Sequence, residues 1–398
     1  MAEAMTKQGL ARLDRVMTAY AERGDVPGLA WLVARRGEVH TAAAGTDGPG
    51  GARVRPDTIF RISSTTKPIT AVAALVLVEE CRLRLDDPVD DLLPEMADRR
   101  VLARPDGPVD DTLPARRPVT LRDLLTFRSG LGSDFTDFGP RPIMQAMSAL
   151  GLGEGPPAPA GPPPPDEWIR RLGTLPLMYQ PGERWLYHTS ADVLGVLIAR
   201  AAGQPFDAFL AERVFGPLGM VDTGFAVPAD RRDRFGACFG VDPATGERTV
   251  YDPADGQWAT PPAFPGGGAG LVSTLADLHA FGEGLVVAGG QRRERLLSRA
   301  TVAAMTTNQL TPEQVATTSP DPDGTIGWGF GVGIELHRRG PARPPGTYGW
   351  DGGLGSSWAN DPSEDLTGVL LTNQMWTSPV PPPVFRDFWT CVYTALAG

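Results

Sequence analysis

Ser64 and Lys67 stand three residues apart at the head of an apolar run, "SSTTKPITAVAALVLV", residues 63 to 78. Residues three apart on a helix share a face, so this hydroxyl and this amine can meet. Pro68 is compatible with a first helical turn, where backbone N–H groups have no intrahelical partner. A serine hydroxyl becomes an effective nucleophile when a neighbouring base takes its proton, and a helix N-terminus favours the negative charge that develops. An amine can be that base once burial and nearby dipoles lower its pKa, whereas a guanidinium with a pKa above about 12 cannot. Of the 37 lysines and arginines only Lys7 and Lys67 are lysine. In a chain that otherwise uses arginine, a lysine at 67 has a chemical reason. Ser63, four residues before Lys67, is the competing hydroxyl.

Other chemistries are poorly supplied. The four histidines, His40, His188, His279 and His337, form no His-x-His or His-Glu-x-x-His pattern, and Cys81, Cys238 and Cys391 have no Cys-x-x-Cys partner. No metal or other cofactor is expected. A nucleophile elbow needs Gly-x-Ser-x-Gly, and the nearest match, "GSSWA" at 355 to 359, ends in alanine. A Ser-His-Asp triad would have to draw on one of the same four histidines, none in a recognisable frame. The formal net charge of −10 argues against tracking nucleic acid or an anionic membrane, which both need a basic face. The charged N-terminal segment, with Leu10, Leu13, Met17 and Tyr20 at helical spacing, reads as an amphipathic helix and not a signal peptide, and "AVAALVLV" at 71 to 78 is too short to span a bilayer. A cytoplasmic location is the expectation, supported by the sparse, widely spaced cysteines.

These residues must be positioned by a chain of 398 residues, long enough for one large or two interleaved domains. "GLAWLVARRGEVHTAAAG" reads as two strands joined at Arg36-Gly37, and "GWGFGVGIELHR", "TYGWDGG", "SSWAND" and "LTGVLLTNQ" read as consecutive strands before a helix from about Val384 to Ala397. The segments at 64 to 82, from 120, from 190 to a glycine stop at 203, and from 206 read as helices. The expected fold class is α/β in the α+β sense: an antiparallel sheet built from both chain ends and flanked by helices, with a mostly helical part inserted. The expected division sets residues 1–80 plus 265–398 against 81–264. Within the insert, "GEGPPAPAGPPPP" at 153–165 reads as a surface loop in polyproline conformation.

"FRISSTTKPITAVAALVLVEECRLRLDDPVDDLLPE" followed by "VTLRDLLTFRSGL" resembles the serine β-lactamase-like superfamily of class C β-lactamases, penicillin-binding proteins and family VIII carboxylesterases. The likeness extends through "YQPGERWLYHTSADVLGVLIARAAGQPFDAFLAERVFGPLGMVDTGF", "GGGAGLVSTLADLHAF" and "GWDGGLGSSWANDPSEDLTGVLLTNQ". It implies a β-lactamase/transpeptidase-like fold with Ser64 as nucleophile and Lys67 beside it. Tyr187-His188-Thr189 stands in the second motif, where the resemblance makes Tyr187 the general base or proton shuttle. Thr189 replaces the usual asparagine, so contacts tuned to a β-lactam amide are not implied. His188 is expected to be a neighbour only, because adjacent residues of an extended segment face opposite sides. Trp350-Asp351-Gly352 stands where penicillin-binding enzymes have Lys-Thr-Gly, which removes the partner of a substrate carboxylate and is similar to family VIII esterases. The same resemblance implies an oxyanion hole from the N–H groups of Ser64 and Gly353, with Gly352 in the site strand.

Six of the nine tryptophans follow residue 250. Trp328 and Trp350, with Phe135 or Phe138 on "GLGSDFTDFG", are the aromatics expected to face the cleft, giving an apolar acyl site. The expected activity is hydrolysis of a small-molecule carboxylic ester through an acyl-Ser64 intermediate. Transfer of the acyl group to an alcohol or amine, including amide formation, is the alternative within the fold, and non-catalytic binding of a β-lactam or peptide is the alternative of another class. The sequence does not set the oligomeric state.

Overall fold

The structure is a computed structural model that describes residues 4–48, 50–137, 139–153, 155–285, 295–318, 326–338 and 340–397. A first helix, α1 (Lys7–Glu22), begins at Thr6, whose hydroxyl accepts the Gly9 N–H, and buries Leu13, Met17 and Tyr20 on one face. The chain then forms β1 (Gly28–Arg35) and β2 (Glu38–Gly45). Arg36 and Gly37 both take positive φ, 50° and 82°, as a two-residue hairpin turn that matches strand twist requires.

Five strands from the far end complete the sheet: β3 (Ile326–Trp328), β4 (Gly333–Glu335), β5 (Tyr348–Gly352), β6 (Ser356–Asp361) and β7 (Leu366–Thr372). The order is β2-β1-β7-β6-β5-β4-β3 with every pairing antiparallel. The two ends of the chain therefore meet where β1 runs beside β7, with Trp31 opposite Leu370. Alternate residues of β1 feed two cores, as a period of two requires. Leu29, Trp31 and Val33 pack with α1 and with α5 (Pro383–Ala395), whereas Ala30, Leu32 and Ala34 face the other helices.

On that second face lies α2 (Thr66–Glu79), entered through a short 3₁₀ turn at Ser63–Thr65. Every residue from Thr66 to Leu77 is buried, so α2 is enclosed around its whole circumference and forms the central rod of the molecule. It packs against α3 (Thr189–Ala202), which stops at Gly203 in the left-handed conformation, φ 70°. A fourth helix, α4 (Leu275–Leu285), lies against β1 and β7. One continuous hydrophobic cluster runs from Leu32 through Val72 and Leu75 to Leu194 and Leu197. Sheet and helical part thus share a core.

The segment 81–264 carries α3, shorter helices and two small hairpins, Arg100–Leu102 with Thr112–Pro114 and Cys238–Val241 with Arg248–Asp252. Its proline-rich stretch has no helix or strand among the described residues until Pro165 opens the helix Pro165–Gly173, and the Tyr251 hydroxyl donates to the Pro157 carbonyl at 2.7 Å. No single helix among the described residues is long and apolar enough to cross a membrane.

Candidate active site

The turn that carries Ser63 and Ser64 is pinned to the sheet by hydroxyl groups. Ser356 on β6 donates to the Ile62 carbonyl at 2.6 Å and lies 2.8 Å from the Thr65 hydroxyl, and the Ser63 hydroxyl accepts the Leu354 N–H at 3.1 Å. Ser63 is 1% exposed and sits at φ 37°, in the region that disfavours side chains. Its hydroxyl is thus engaged by the fold; Ser64 is half-buried, and both serines border a cavity of about 500 Å³.

Lys67 is 1% exposed, one helical turn below Ser64. Its Nζ lies 2.9 Å from Ser64 Oγ, 2.6 Å from the Gly268 carbonyl oxygen and 3.2 Å from His188 Nδ1. It also stands over the Tyr187 ring, 4.4 Å from the centroid. A buried ammonium is tolerable only with such partners, and ring face and carbonyl both supply negative potential. The Gly268 carbonyl can come this close because residue 268 has no side chain: a Cβ there would lie 2.9 Å from His188 Cε1 and 3.1 Å from Asp192 Oδ1.

Tyr187 is held by a two-way backbone bridge to Ser133, N to O at 2.8 and 2.9 Å, just before α3. Its hydroxyl accepts the Trp350 indole N–H at 2.6 Å. The residue between Tyr187 and α3 departs from an extended chain. His188 has φ 81° and ψ −69°, and the Thr189 N–H reaches back to the Tyr187 carbonyl at 3.2 Å. This is a γ-turn of the rare positive-φ kind. Such a conformation costs about 1–3 kcal/mol and persists only where surroundings over-determine it. Here it lets two adjacent side chains, Tyr187 and His188, both reach Lys67, which overturns the expectation that His188 faces away. His188 Nε2 meets Asp192 Oδ2 at 3.1 Å, and Asp192 Oδ1 accepts the Gly268 N–H at 2.8 Å. Burial pushes the Asp192 carboxyl up, but His188, the Gly268 N–H and the Lys67 charge together hold it below the usual carboxylate range.

The other expected site residues divide. Phe135, Trp350 and Gly353 line the same cavity as Ser64. Gly352 lies against the nucleophile turn, where a Cβ would come within 2.4 Å of the Ile62 carbonyl and 2.5 Å of Ser63 Oγ, so β5 and the 62–64 segment run in direct contact. Trp328 is corrected: it is wholly buried, its ring 4.7 Å from that of Trp350, and it backs the cavity wall without forming it. Its indole N–H is directed inward to the Leu125 carbonyl, 3.3 Å away. Thr189 starts α3 behind the γ-turn, 2% exposed, and lines an adjoining chamber of about 290 Å³ with His188 and Asp192, not the cavity that holds Ser64. Phe138 lies outside the described residues. Sequence reasoning missed His188 and Asp192, the Gly268 carbonyl, and a rim formed by Met375, Trp376 and Pro379. The run Gly266-Gly267-Gly268 was the available signal, since successive glycines mark close backbone approach.

The arrangement offers a hydroxyl beside an amine, a phenol and two glycine-bordered backbone segments on a largely apolar wall. Among the described lining residues that wall carries the Asp351 carboxylate and no arginine or lysine, Lys67 being buried beneath it. No group of three or more metal-ligating side chains is found among the described residues.

Residues 13–382 match the family described as Beta-lactamase. The chain is 38% identical over 328 residues to an uncharacterised protein of Mycobacterium tuberculosis, covering 81% of this chain and 79% of that one. It is 32% identical over 383 residues to esterase EstB of Burkholderia gladioli, covering 91% and 90%. Among solved structures it is similar to EstCE1, described as a hydrolase with promiscuous acyltransferase activity, with a TM-score of 0.81, 26% identity and coverage of 97% and 99%. With nearly the whole chain matched and the seven-stranded antiparallel sheet in place, this protein belongs to the β-lactamase family.

Proposed function

We propose that this chain is an ester hydrolase that cleaves small neutral carboxylic esters through an acyl-Ser64 intermediate. The observation that carries this reading is the 2.9 Å hydrogen bond between Ser64 Oγ and a buried Lys67 on the wall of an apolar cavity. A neutral Lys67 amine takes the Ser64 proton as Oγ attacks the ester carbon, and the carbonyl electrons move to oxygen. The N–H groups of Ser64 and Gly353 are the proposed oxyanion donors, their segments being adjacent through Gly352. The Tyr187 phenol, fixed on one side by the Trp350 N–H, can donate its own proton toward the leaving oxygen. Water then releases the acyl group by the same steps reversed. The likeness to EstB, a named esterase, supports this reading.

A second reading is acyl transfer to an alcohol or amine. EstCE1 is named for both activities, and the chamber of about 290 Å³ that adjoins the cavity at His188 and Ala269 gives space for an acceptor. The test is intact-protein mass spectrometry with a short-chain nitrophenyl ester, with and without added alcohol. The expected result is a transient acyl adduct on wild type and on Ser63→Ala, and none on Ser64→Ala. Acylation of the Ser64→Ala protein would remove Ser64 from its role; diversion of nearly all product to the alcohol would favour acyl transfer.

A further inference from the structure

The hydrogen bond that marks the site also poses a problem. An ammonium donating to Ser64 Oγ cannot remove the Ser64 proton; Lys67 must first lose a proton of its own. Of the three acceptors named above for Nζ, the Gly268 carbonyl and the Ser64 hydroxyl are not bases near neutral pH, whereas an imidazole is. Its other nitrogen faces the Asp192 carboxylate at 3.1 Å, which selects the tautomer with hydrogen on Nε2 and a lone pair on Nδ1 toward Lys67. We propose that His188, backed by Asp192, accepts the proton that Lys67 must shed before it can deprotonate Ser64. The inference rests on the acyl-Ser64 reading.

The step balances. A Lys67 N–H bond breaks as the His188 Nδ1–H bond forms, and the positive charge moves from the amine to an imidazolium that faces a carboxylate. The neutral amine then takes the Ser64 proton while Oγ bonds to carbon and the carbonyl pair moves to oxygen. On collapse the leaving alkoxide receives the Lys67 proton by way of the Tyr187 phenol, and Lys67 is neutral again for the attack of water. In water, transfer from an ammonium to an imidazole is unfavourable by about 4 pKa units. The transfer moves the positive charge from an amine that is 1% exposed to a ring that faces the Asp192 carboxylate at 3.1 Å. Asp192 stays ionised despite burial, for the reasons already given. The charged or titratable groups around His188 are Lys67 from α2, Asp192 from α3 and the adjacent Tyr187, with Asp351 also on the cavity wall. The 266–270 segment contributes only glycine and alanine. The strained γ-turn at 188 is consistent with a side chain held there for use.

The sign is fixed by the role. His188 must be neutral to accept, so kcat/KM is expected to rise with pH. The experiment compares kcat/KM for a short-chain nitrophenyl ester in wild type, His188→Asn, Asp192→Asn and Ser64→Ala across the range between the ordinary histidine and lysine values, about 6.5 and about 10.4. Asparagine is chosen because it tolerates positive φ and has no basic nitrogen. His188→Asn is expected to lose about 10²-fold or more at neutral pH, with KM little changed. The deficit should narrow as pH approaches the lysine value, where solvent can take the Lys67 proton. Asp192→Asn should show the same convergence from a smaller loss. A His188→Asn profile parallel to wild type, whatever its height, would overturn the inference while leaving Ser64 in place; turnover by Ser64→Ala would sink the acyl-Ser64 reading itself. Circular dichroism checks that each variant is folded. Should His188→Asn not fold, imidazole ¹⁵N shifts of the folded wild type decide, with a proton on Nε2 expected near neutral pH and a neutral ring protonated on Nδ1 overturning the inference.

Discussion

Residues 63 and 64 carry the same side chain and both border the cavity, but their hydroxyls have different partners, and the backbone makes the difference. At φ 37° Ser63 accepts the Leu354 N–H, so its hydroxyl serves the turn, while that of Ser64 meets Lys67. The requirement at residue 67 is equally specific. Lys67→Arg keeps the charge, but a guanidinium cannot yield a proton near neutral pH. Its planar fork must also replace a compact ammonium among Ser64, Gly268 and His188. The expected loss in kcat/KM is about 10²- to 10⁴-fold, close to that of Lys67→Ala. Recovery to within about tenfold of wild type, roughly 1.4 kcal/mol of barrier, would show that Lys67 acts only as a cation.

Helix α2 can place Ser64 and Lys67 only if its neighbours fit its backbone closely. Gly331, between β3 and β4, has φ 71°, and a Cβ there would lie 2.3 Å from the Ala71 side chain and 3.3 Å from the Lys67 carbonyl oxygen. Gly331→Ala therefore combines a left-handed alanine, about 1–2 kcal/mol, with overpacking of a buried helix, about 1–3 kcal/mol. A lowered midpoint in thermal unfolding is expected, together with reduced kcat, because the helix shifts one turn beyond Lys67. A variant with an unchanged midpoint and unchanged kcat would mean that the loop yields and α2 stays where it is. At the start of α3 the controlling feature is the γ-turn at His188, which sets both the Tyr187 ring and the imidazole against Lys67.

On the scale of the whole molecule, the sheet built from both chain ends brings β5 against a turn almost 290 residues earlier, and that contact sets the cavity wall beside Ser64. The cavity wall presents Trp350 and the Asp351 carboxylate and, among its described residues, no lysine or arginine. A penicillin or cephalosporin carboxylate would meet no lysine or arginine on that wall, where Asp351 is itself engaged by Ser357 and Arg343, so it would lack orientation even beside a competent nucleophile. A short neutral ester needs only the backbone N–H donors and an apolar wall. The kcat/KM for a short-chain nitrophenyl ester is expected to exceed that for a chromogenic cephalosporin by at least about 10²-fold, on the scale of one well-placed charge interaction. A cephalosporin value equal to or above the ester value would refute this account of the cavity.

Period-two and helical patterns, the Arg36-Gly37 turn and the glycine stop at 203 were legible in the sequence because each is a local preference of the backbone. The Ser64–Lys67 pair was legible for the same reason, since an i, i+3 spacing on a helix is a local geometry. The strand-like runs at the two chain ends also pointed to one antiparallel sheet, which the structure has. Only the tertiary structure decided that Trp328 is buried behind Trp350, that Thr189 belongs to the adjoining chamber, and that the rim includes Trp376. The pairing of His188 with Lys67 was likewise decided there. Alternation assigns neighbours to opposite faces only while the chain is extended, and a positive-φ turn held by α3, Ser133 and the glycine segment at 266–270 is set by contacts far apart in sequence, which no local pattern encodes.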